Sequence, residues 1–323
     1  MKILTISAHY PPCHFGGYEL RVKDIMDGLA ARGHQILALT NHPEKNSHSS
    51  APGSNYSVNR KLHSRHHARF FPKEVLFDLL DTRLLEKKIK EFQPDVIYLG
   101  HTNILSKALL PYLSRQDIPI VYDEGGSGLI EAWTEHGRWF RFTGDYQSRY
   151  APLNLLKPMV IKLVCRLSRG RITPDWSWPV NVRVIFNSQL NLNNAVTKGV
   201  PVSDAVVIHS GIDLDKFTFR PRTGFSRPLR IIVPGRIEKR KGQMDAVQFL
   251  KQLIDLGIDS HLILAGRTGD KDYFTDVVSA IENYGLTDRV EIKPMLSTEE
   301  LVGEYHKTDR KSTRLNSSHE SPS

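Results

Sequence analysis

Apolar residues fall in short runs separated by stretches where they recur at helical spacing. Ile3 to Ala8 is mostly apolar; after a Pro-Pro and Gly-Gly loop, Val22, Ile25, Met26, Leu29 and Ala30 keep a helical period, and Ile36 to Leu39 is apolar again. The order predicts strand, glycine loop, helix and strand, with Gly33 placed as the helix C-terminal cap. A helical crossover joins parallel strands, so this βαβ unit implies a parallel sheet.

Further β-rich runs lie at Asp95 to Leu99, Ile118 to Tyr122, Val182 to Phe186 and Ala205 to Ile208, with room for helices between them. The first domain therefore reads as doubly wound α/β over residues 1–217. Asn41 to Asn55 is rich in Ser, Pro, Asn and His without a period and reads as a mobile surface loop. Between Phe217 and Pro228 the pattern lapses into Arg, Pro, Thr, Gly and Ser, which reads as an interdomain linker. A second domain starts at Leu229 with a strand and a glycine turn. A helix patterned at Val247, Leu250, Ile254 and Ile258, a strand at His261 to Ala265, another helix and a strand at Arg289 to Ile292 follow, to about residue 308. Three strands are visible, so this second Rossmann-like domain is expected to be incomplete. Residues 309–323, beginning Asp309-Arg310-Lys311-Ser312-Thr313-Arg314, match an in-frame translation of a sequencing adapter and are set aside as an adapter-derived or disordered tail.

The 323 residues, 40% hydrophobic and 24% charged, suit a globular protein of two cores. No apolar run reaches the roughly 20 residues of a spanning helix. Only Cys13 and Cys165 occur, without metal or redox spacing, so no metal site is expected and a reducing cytoplasm fits. A formal charge of +9 suits a phosphorylated substrate, nucleic acid or an anionic membrane. Nucleic acid is disfavoured because the cations are scattered over two α/β domains and form no single basic helix or finger.

Gly16 and Gly17 open the first helix, where backbone amides and the positive helix end can meet an anion, although such a pair also makes a tight turn. Asn187 and Ser188 end a strand and serve equally as turn residues. Gly235-Arg236-Ile237-Glu238-Lys239-Arg240-Lys241-Gly242 places cations and glycine amides between a strand and a helix, where a pyrophosphate would sit; a solvated basic turn is the bland alternative. Taken in order, Pro11-Pro12, Gly16-Gly17 and Glu19, then Gly33-His34, then Val184 to Ser188, Gly199-Val200-Pro201, Val207 to Phe217 and Gly235 to Gly242 resemble family 4 glycosyltransferases. Ser210 stands where that family usually has Asn, and Asp123-Glu124 stands where it commonly has His.

The resemblance implies a GT-B fold of two Rossmann-like domains, an acceptor-side first domain and a nucleotide-sugar second domain. It implies transfer of a sugar from a nucleotide-sugar, as substrate and not cofactor, with retention at the anomeric carbon. The donor diphosphate would meet Gly16, Gly17, Arg236 and Lys241; Asp123 or Glu124 would take the polar role beside the reacting sugar. Glu19, Asn187, Ser188, Gly211, Asp213 and Gly266 would line the rest of the cleft. The acceptor would be a sugar, a lipid-linked saccharide or a small molecule. Trp133 to Tyr150 mixes aromatics with carboxylates, as a sugar site or a packed helix would. Arg60 to Lys73 and Lys157 to Arg171 interleave cations with apolar residues, which fits either ordinary packing or peripheral contact with an anionic membrane. The chief enzymatic rival is a nucleotide-cofactor oxidoreductase, whose spaced third glycine and ribose-binding carboxylate are missing; with its second domain cut short, the chain as given is expected to be an inactive fragment of the transferase.

Overall fold

The computed structural model of the protein describes residues 1–12, 16–41, 56–68, 70–100, 102–126, 128–134, 137–144, 151–178, 181–221, 224 and 227–311. The loop expected at Asn41 to Asn55 lies outside these after Asn41, as does the tail from residue 312 on. The chain divides into two compact units, Met1–Ser210 and Gly211–Ser323.

The first unit runs β1 (Lys2–Ser7), α1 (Gly17–Ala31), β2 (Gln35–Asn41), β3 (Ser57–Leu62), α2 (Phe71–Phe92), β4 (Val96–Leu99), α3 (Leu109–Leu113) and β5 (Ile120–Glu124). It continues through α4 (Gly128–Thr134), α5 (Gly137–Thr143), α6 (Ala151–Leu167), β6 (Val182–Phe186), α7 (Gln189–Thr197) and β7 (Val206–Val207). The seven strands form one parallel sheet in the order β3-β2-β1-β4-β5-β6-β7. Connections leave β1 in both directions, so the topological switch point lies between β1 and β4, where open α/β sheets hold ligands at the strands' carboxyl ends.

Alternation along the strands feeds two cores. Leu4, Ile6, Leu39, Ile97 and Leu99 pack with Leu85 of α2 and Leu109 and Leu113 of α3. Their neighbours Ile3, Ile36, Ala38 and Tyr98 pack with Val22 and Met26 of α1. Both sheet faces are therefore covered, which is why β1 and β2 read as nearly continuous apolar runs. α1 ends in a Schellman turn: Gly33, at φ +86°, donates to Ala30 O, and His34 donates to Leu29 O.

The second unit holds β8 (Leu229–Pro234), α8 (Gln243–Asp255), β9 (Ser260–Ala265), α9 (Lys271–Asn283), β10 (Val290–Lys293), α10 (Thr298–Lys307) and β11 (Arg310–Lys311). Its parallel sheet has the order β10-β9-β8-β11, again with a switch point, here between β8 and β11. Ile231, Val233, Leu262 and Leu264 pack with Val247 and Leu250 of α8 and Val277 and Ile281 of α9. Ile232 and Ile263 face Leu301 and Tyr305 of α10. Ile258, expected on the first helix of this unit, lies beyond its end: Gly257 breaks the helix at φ +75°, and Ile258 donates back to Leu253 O. Past Thr308 the sheet gains a further edge: Asp309 N donates to Arg230 O at 2.8 Å, the Asp309 carboxylate accepts from Arg230 N at 2.9 Å, and Arg310 and Lys311 pair with Ile231 and Ile232.

Candidate functional site

In the first unit, the loop after β1, the first turn of α1 and the loop after β5 meet at the carboxyl end of the sheet. Gly16 caps α1 in extended conformation, and its N–H donates to Glu19 Oε2 at 3.0 Å. Glycine has no side chain to return that bond, so only the glutamate half of a capping box is made. Glu19 is buried and lies at the positive end of a 15-residue helix, where its charge is favoured. The preceding Phe15 lies outside the described residues.

Asp123 is 1% exposed. Its carboxylate accepts from Arg21 on α1 and from the Tyr98 hydroxyl at the end of β4, while its backbone carbonyl accepts from the Tyr18 hydroxyl. Burial first, and then the Asp123 carboxylate, push both tyrosine hydroxyls above their ordinary pKa, so they stay protonated donors. The Arg21 guanidinium also donates to Ser210 Oγ at 3.1 Å and lies 5.6 Å from the centre of the Tyr18 ring. One cation thus ties α1 to β5 and to the residue that ends the unit. Glu124, also buried, accepts from the backbone N–H of Gly126 at 2.6 Å and of Gly128 at 3.2 Å, and shapes the turn leading into α4. Gly125 cannot carry a side chain, because a Cβ there would lie 2.1 Å from the Tyr18 ring.

Asn187 and Ser188 join this edge from β6. Asn187 donates to Gly125 O at 3.3 Å and accepts from Asn191 at 2.6 Å, and its carbonyl meets His209 Nδ1 at 3.0 Å. Ser188 caps α7 by accepting from Asn191 N at 3.3 Å. The structure therefore brings Gly16, Gly17, Glu19, Asp123, Glu124, Asn187 and Ser188 to one end of one sheet. Arg21, Tyr18 and Tyr98, which hold them, went unremarked in the sequence because their partners are remote in the chain. Arg60 of β3 was missed in the same way: it donates to Tyr10 O at 2.9 Å and Pro11 O at 2.6 Å and braces the loop after β1.

The second unit carries Gly211, Asp213, Arg236, Lys241 and Gly266. Asp213 closes its own turn, accepting from Asp215 N at 3.0 Å and Lys216 N at 3.3 Å; the Lys216 hydrogen bond holds its carboxyl below the usual range. The loops after β8 and β9 lie back to back, and a Cβ on Gly266 would be 2.1 Å from Gly235 O. Ile237 N donates to Arg267 O at 2.9 Å, and Gly269 N donates to Ile237 O at 3.0 Å, which locks the pair. On this platform Lys239–Lys241 forms a single 3-10 turn ending at Gly242, and α8 begins. Buried Gln243 donates to Arg236 O at 2.9 Å, fixing the backbone beneath the guanidinium. Glu238 pairs with Arg240 at 2.6 Å and Arg236 at 3.5 Å. The Lys241 ammonium is pushed below the ordinary lysine range, first by partial burial and then by repulsion from Arg240, with Arg236 adding to it and Glu238 opposing. Arg236 and Lys241 are thus two cations on one locked loop ahead of α8, beside the switch point of the sheet.

The aromatic segment resolves into packing. Trp139 and Phe140 are buried with Val75, Val164 and Ile172, Trp139 Nε1 donates to Thr173 O at 2.8 Å, and Trp133 meets Trp178 edge-on. Glu135, His136 and Tyr146 lie outside the described residues.

Comparison with known proteins places the chain among glycosyltransferases. The sequence model of Glycosyltransferase Family 4 matches residues 15–216. A curated relative, a glycogen synthase from Mycobacterium tuberculosis, is 26% identical over 319 residues, covering 92% of this chain and 70% of the relative. Among solved structures, a glycosyltransferase from Rickettsia africae is similar with TM-score 0.60 and 15% identity, over 96% of this chain and 72% of its own. Sucrose-phosphate synthase from Thermosynechococcus elongatus gives TM-score 0.62 and 16% identity, over 96% and 74%. Anabaena HepE in complex with UDP gives 0.58 and 18%, over 96% and 73%. The shared architecture is that of GT-B glycosyltransferases, two parallel Rossmann-like sheets in one chain.

Proposed function

The chain belongs to glycosyltransferase family 4, and from that premise we propose that it moves a sugar from a nucleoside-diphosphate sugar to an acceptor with retention of the anomeric configuration. The observation that carries the donor assignment is the loop from Gly235 to Gly242, with Arg236 and Lys241 on a locked glycine platform ahead of α8. In the reaction, the bond from the anomeric carbon to the diphosphate oxygen breaks with its electron pair staying on that oxygen, and an acceptor hydroxyl oxygen bonds to the anomeric carbon as its proton passes to the departing diphosphate. The charge that develops there falls to the Arg236 fork and the Lys241 ammonium, which are ordered before the donor arrives. Lys241, destabilised as a cation first by partial burial and then by Arg240, gains a counter-charge when a diphosphate binds. Likeness to HepE, crystallised with UDP and with UDP-glucose, supports a uridine nucleotide.

In the first unit, Gly16 and Gly17 bring the backbone and the positive end of α1 close to an anionic substrate group, with the Gly16 N–H held by Glu19. Asp123 and Glu124 act through what they hold: Asp123 fixes the Arg21 cation, and Glu124 fixes the turn over Gly125. Glu19, Asn187 and Ser188 brace that edge, and Gly211, Asp213 and Gly266 set the turns of the second unit. The acceptor is a sugar, a lipid-linked saccharide or a small molecule. Two measurements test the proposal: calorimetric titration with UDP, and proton NMR of the first product formed from a UDP-α-sugar. We expect UDP binding that weakens in Arg236→Ala and an α-linked product; a β-linked product would exclude retention.

A further inference from the structure

α6 lies with one face in the first unit, where Val160, Ile161 and Val164 pack against Phe71, Val75 and Leu79 of α2 and against Trp139 and Phe140. Its opposite face is not what a solvated helix shows. Leu156, Met159, Leu163 and Leu167 recur at i, i+3, i+7 and i+11, one stripe of a 3.6-residue helix, and are 46%, 60%, 53% and 59% exposed. Leu155 is exposed beside them. Lys162 and Arg166 flank the stripe and Arg169 follows it, all three exposed, and none of them forms an ion pair among the described residues. The segment from Leu155 to Gly170 contains no carboxylate. α2 adds exposed Leu76 and Leu80, each next to a residue of the same buried cluster.

We propose that the outward face of α6 is a docking surface for an anionic lipid bilayer, lying in the plane of the headgroups. An apolar stripe bordered by cations alone matches such a surface on both counts: the side chains enter the acyl boundary and the ammonium and guanidinium groups meet lipid phosphates. A protein partner of ordinary composition would satisfy the stripe and leave the cations uncompensated. No helix among the described residues is long and apolar enough to cross a membrane, so contact by this face is peripheral. The other basic segment does not share the role equally, because Arg60 and Arg65 are turned inward, to Tyr10 O and Pro11 O and to Glu74. α6 carries none of the proposed donor residues, so the docking surface stands or falls apart from the transfer reaction.

The test is co-sedimentation of the full chain with vesicles of phosphatidylcholine alone or with 30 mol% phosphatidylglycerol, at ~0.1 M and ~0.5 M salt, where screening lengths differ about twofold. We expect binding to the anionic vesicles, lost at high salt. Each cation near the surface is worth roughly fivefold in partitioning, so Lys162→Glu/Arg166→Glu should lower it at least ~30-fold. Met159→Ser/Leu163→Ser should lower it on anionic vesicles while keeping the salt dependence. A charge-matched control, Lys198→Glu/Lys271→Glu, should change it by less than about threefold. Equal binding to both vesicle types, a control that falls as far as the α6 charge variant, or a dimer by light scattering that Met159→Ser/Leu163→Ser dissociates while no vesicle binds, would each overturn the proposal. Circular dichroism of each variant separates loss of docking from loss of fold.

Discussion

Gly266 sits directly under the carbonyl of Gly235: a Cβ on it would lie 2.1 Å from that oxygen and 3.3 Å from the Arg236 nitrogen. The close approach joins the loops after β8 and β9 and fixes where Arg236 starts. Gly266→Ala must push the two loops apart, at a cost of about 1–3 kcal/mol in the second unit by the usual penalty for overpacking. Thermal melts should show that loss with UDP affinity falling alongside; wild-type melting and affinity would show that the loops move independently.

Arg21 and Asp123 are paired where Asp123 has almost no contact with water. Asp123→Ala removes the carboxylate and leaves the guanidinium and the Tyr98 hydroxyl without it, the arrangement that costs ~3–5 kcal/mol when one partner of a buried pair is deleted. Asp123→Asn keeps the shape and one acceptor and should cost less. Urea unfolding of the two variants gives that order, and equal stabilities would mean that the pair is solvated in solution.

Legibility in the sequence follows the same division. β1, β2, β8 and β9 were plain because both faces of each sheet are covered, so the strands are apolar throughout, and the Gly33 cap was plain because its turn demands that residue. β3 was hidden because it is an edge strand of sequence Ser57-Val58-Asn59-Arg60-Lys61-Leu62, whose Arg60 and Lys61 fall in the basic segment from Arg60 to Lys73. The glycine loops declared their positions, whereas the partners that fix them did not: Arg21 and Asp123 are 102 residues apart and meet only through the crossover topology. Nor could periodicity separate the packed from the bare face of α6, since both are apolar.

Stability should fall as pH rises from about 4 to about 8. Burial raises the Asp78 carboxyl to about 8, far above the ordinary carboxylate range, against the hydrogen bond it accepts from Ser106. The fold therefore binds this proton more tightly than the unfolded chain does, so its contribution is complete below the unfolded pKa and lost as pH passes the folded one. His63, raised mainly by its hydrogen bond to Asp81, acts with the same sign above the unfolded histidine value of 6.5. Asp78→Asn, which retains an acceptor for Ser106, should flatten the slope between pH 5 and 8, read from denaturant midpoints at roughly unit steps of pH. An unchanged slope would assign the dependence elsewhere.

Diphosphate affinity should carry a signature of Lys241. Its pKa is depressed in the free protein, and a bound diphosphate raises it by supplying the missing counter-charge. Binding is then linked to proton uptake, so UDP affinity should fall as pH rises through the depressed value. Lys241→Arg, protonated throughout the accessible range, should lose that fall while keeping affinity at low pH. Calorimetry in buffers of different ionisation enthalpy measures the proton uptake; none at any pH would remove Lys241 from the diphosphate site.

If Arg236 and Lys241 stabilise the departing diphosphate, single-turnover sugar transfer by the wild type, Arg236→Ala and Lys241→Ala, with the donor that the wild type turns over, reads that stabilisation out. Removing one charge-assisted contact that strengthens in the transition state should cost about 2–4 kcal/mol, a fall of roughly 30- to 1,000-fold in the rate of the chemical step for each variant. Melting temperatures should stay near wild type, because both side chains lie on a loop held by backbone and glycine contacts. Wild-type transfer rates in both variants, with the fold intact, would contradict the account.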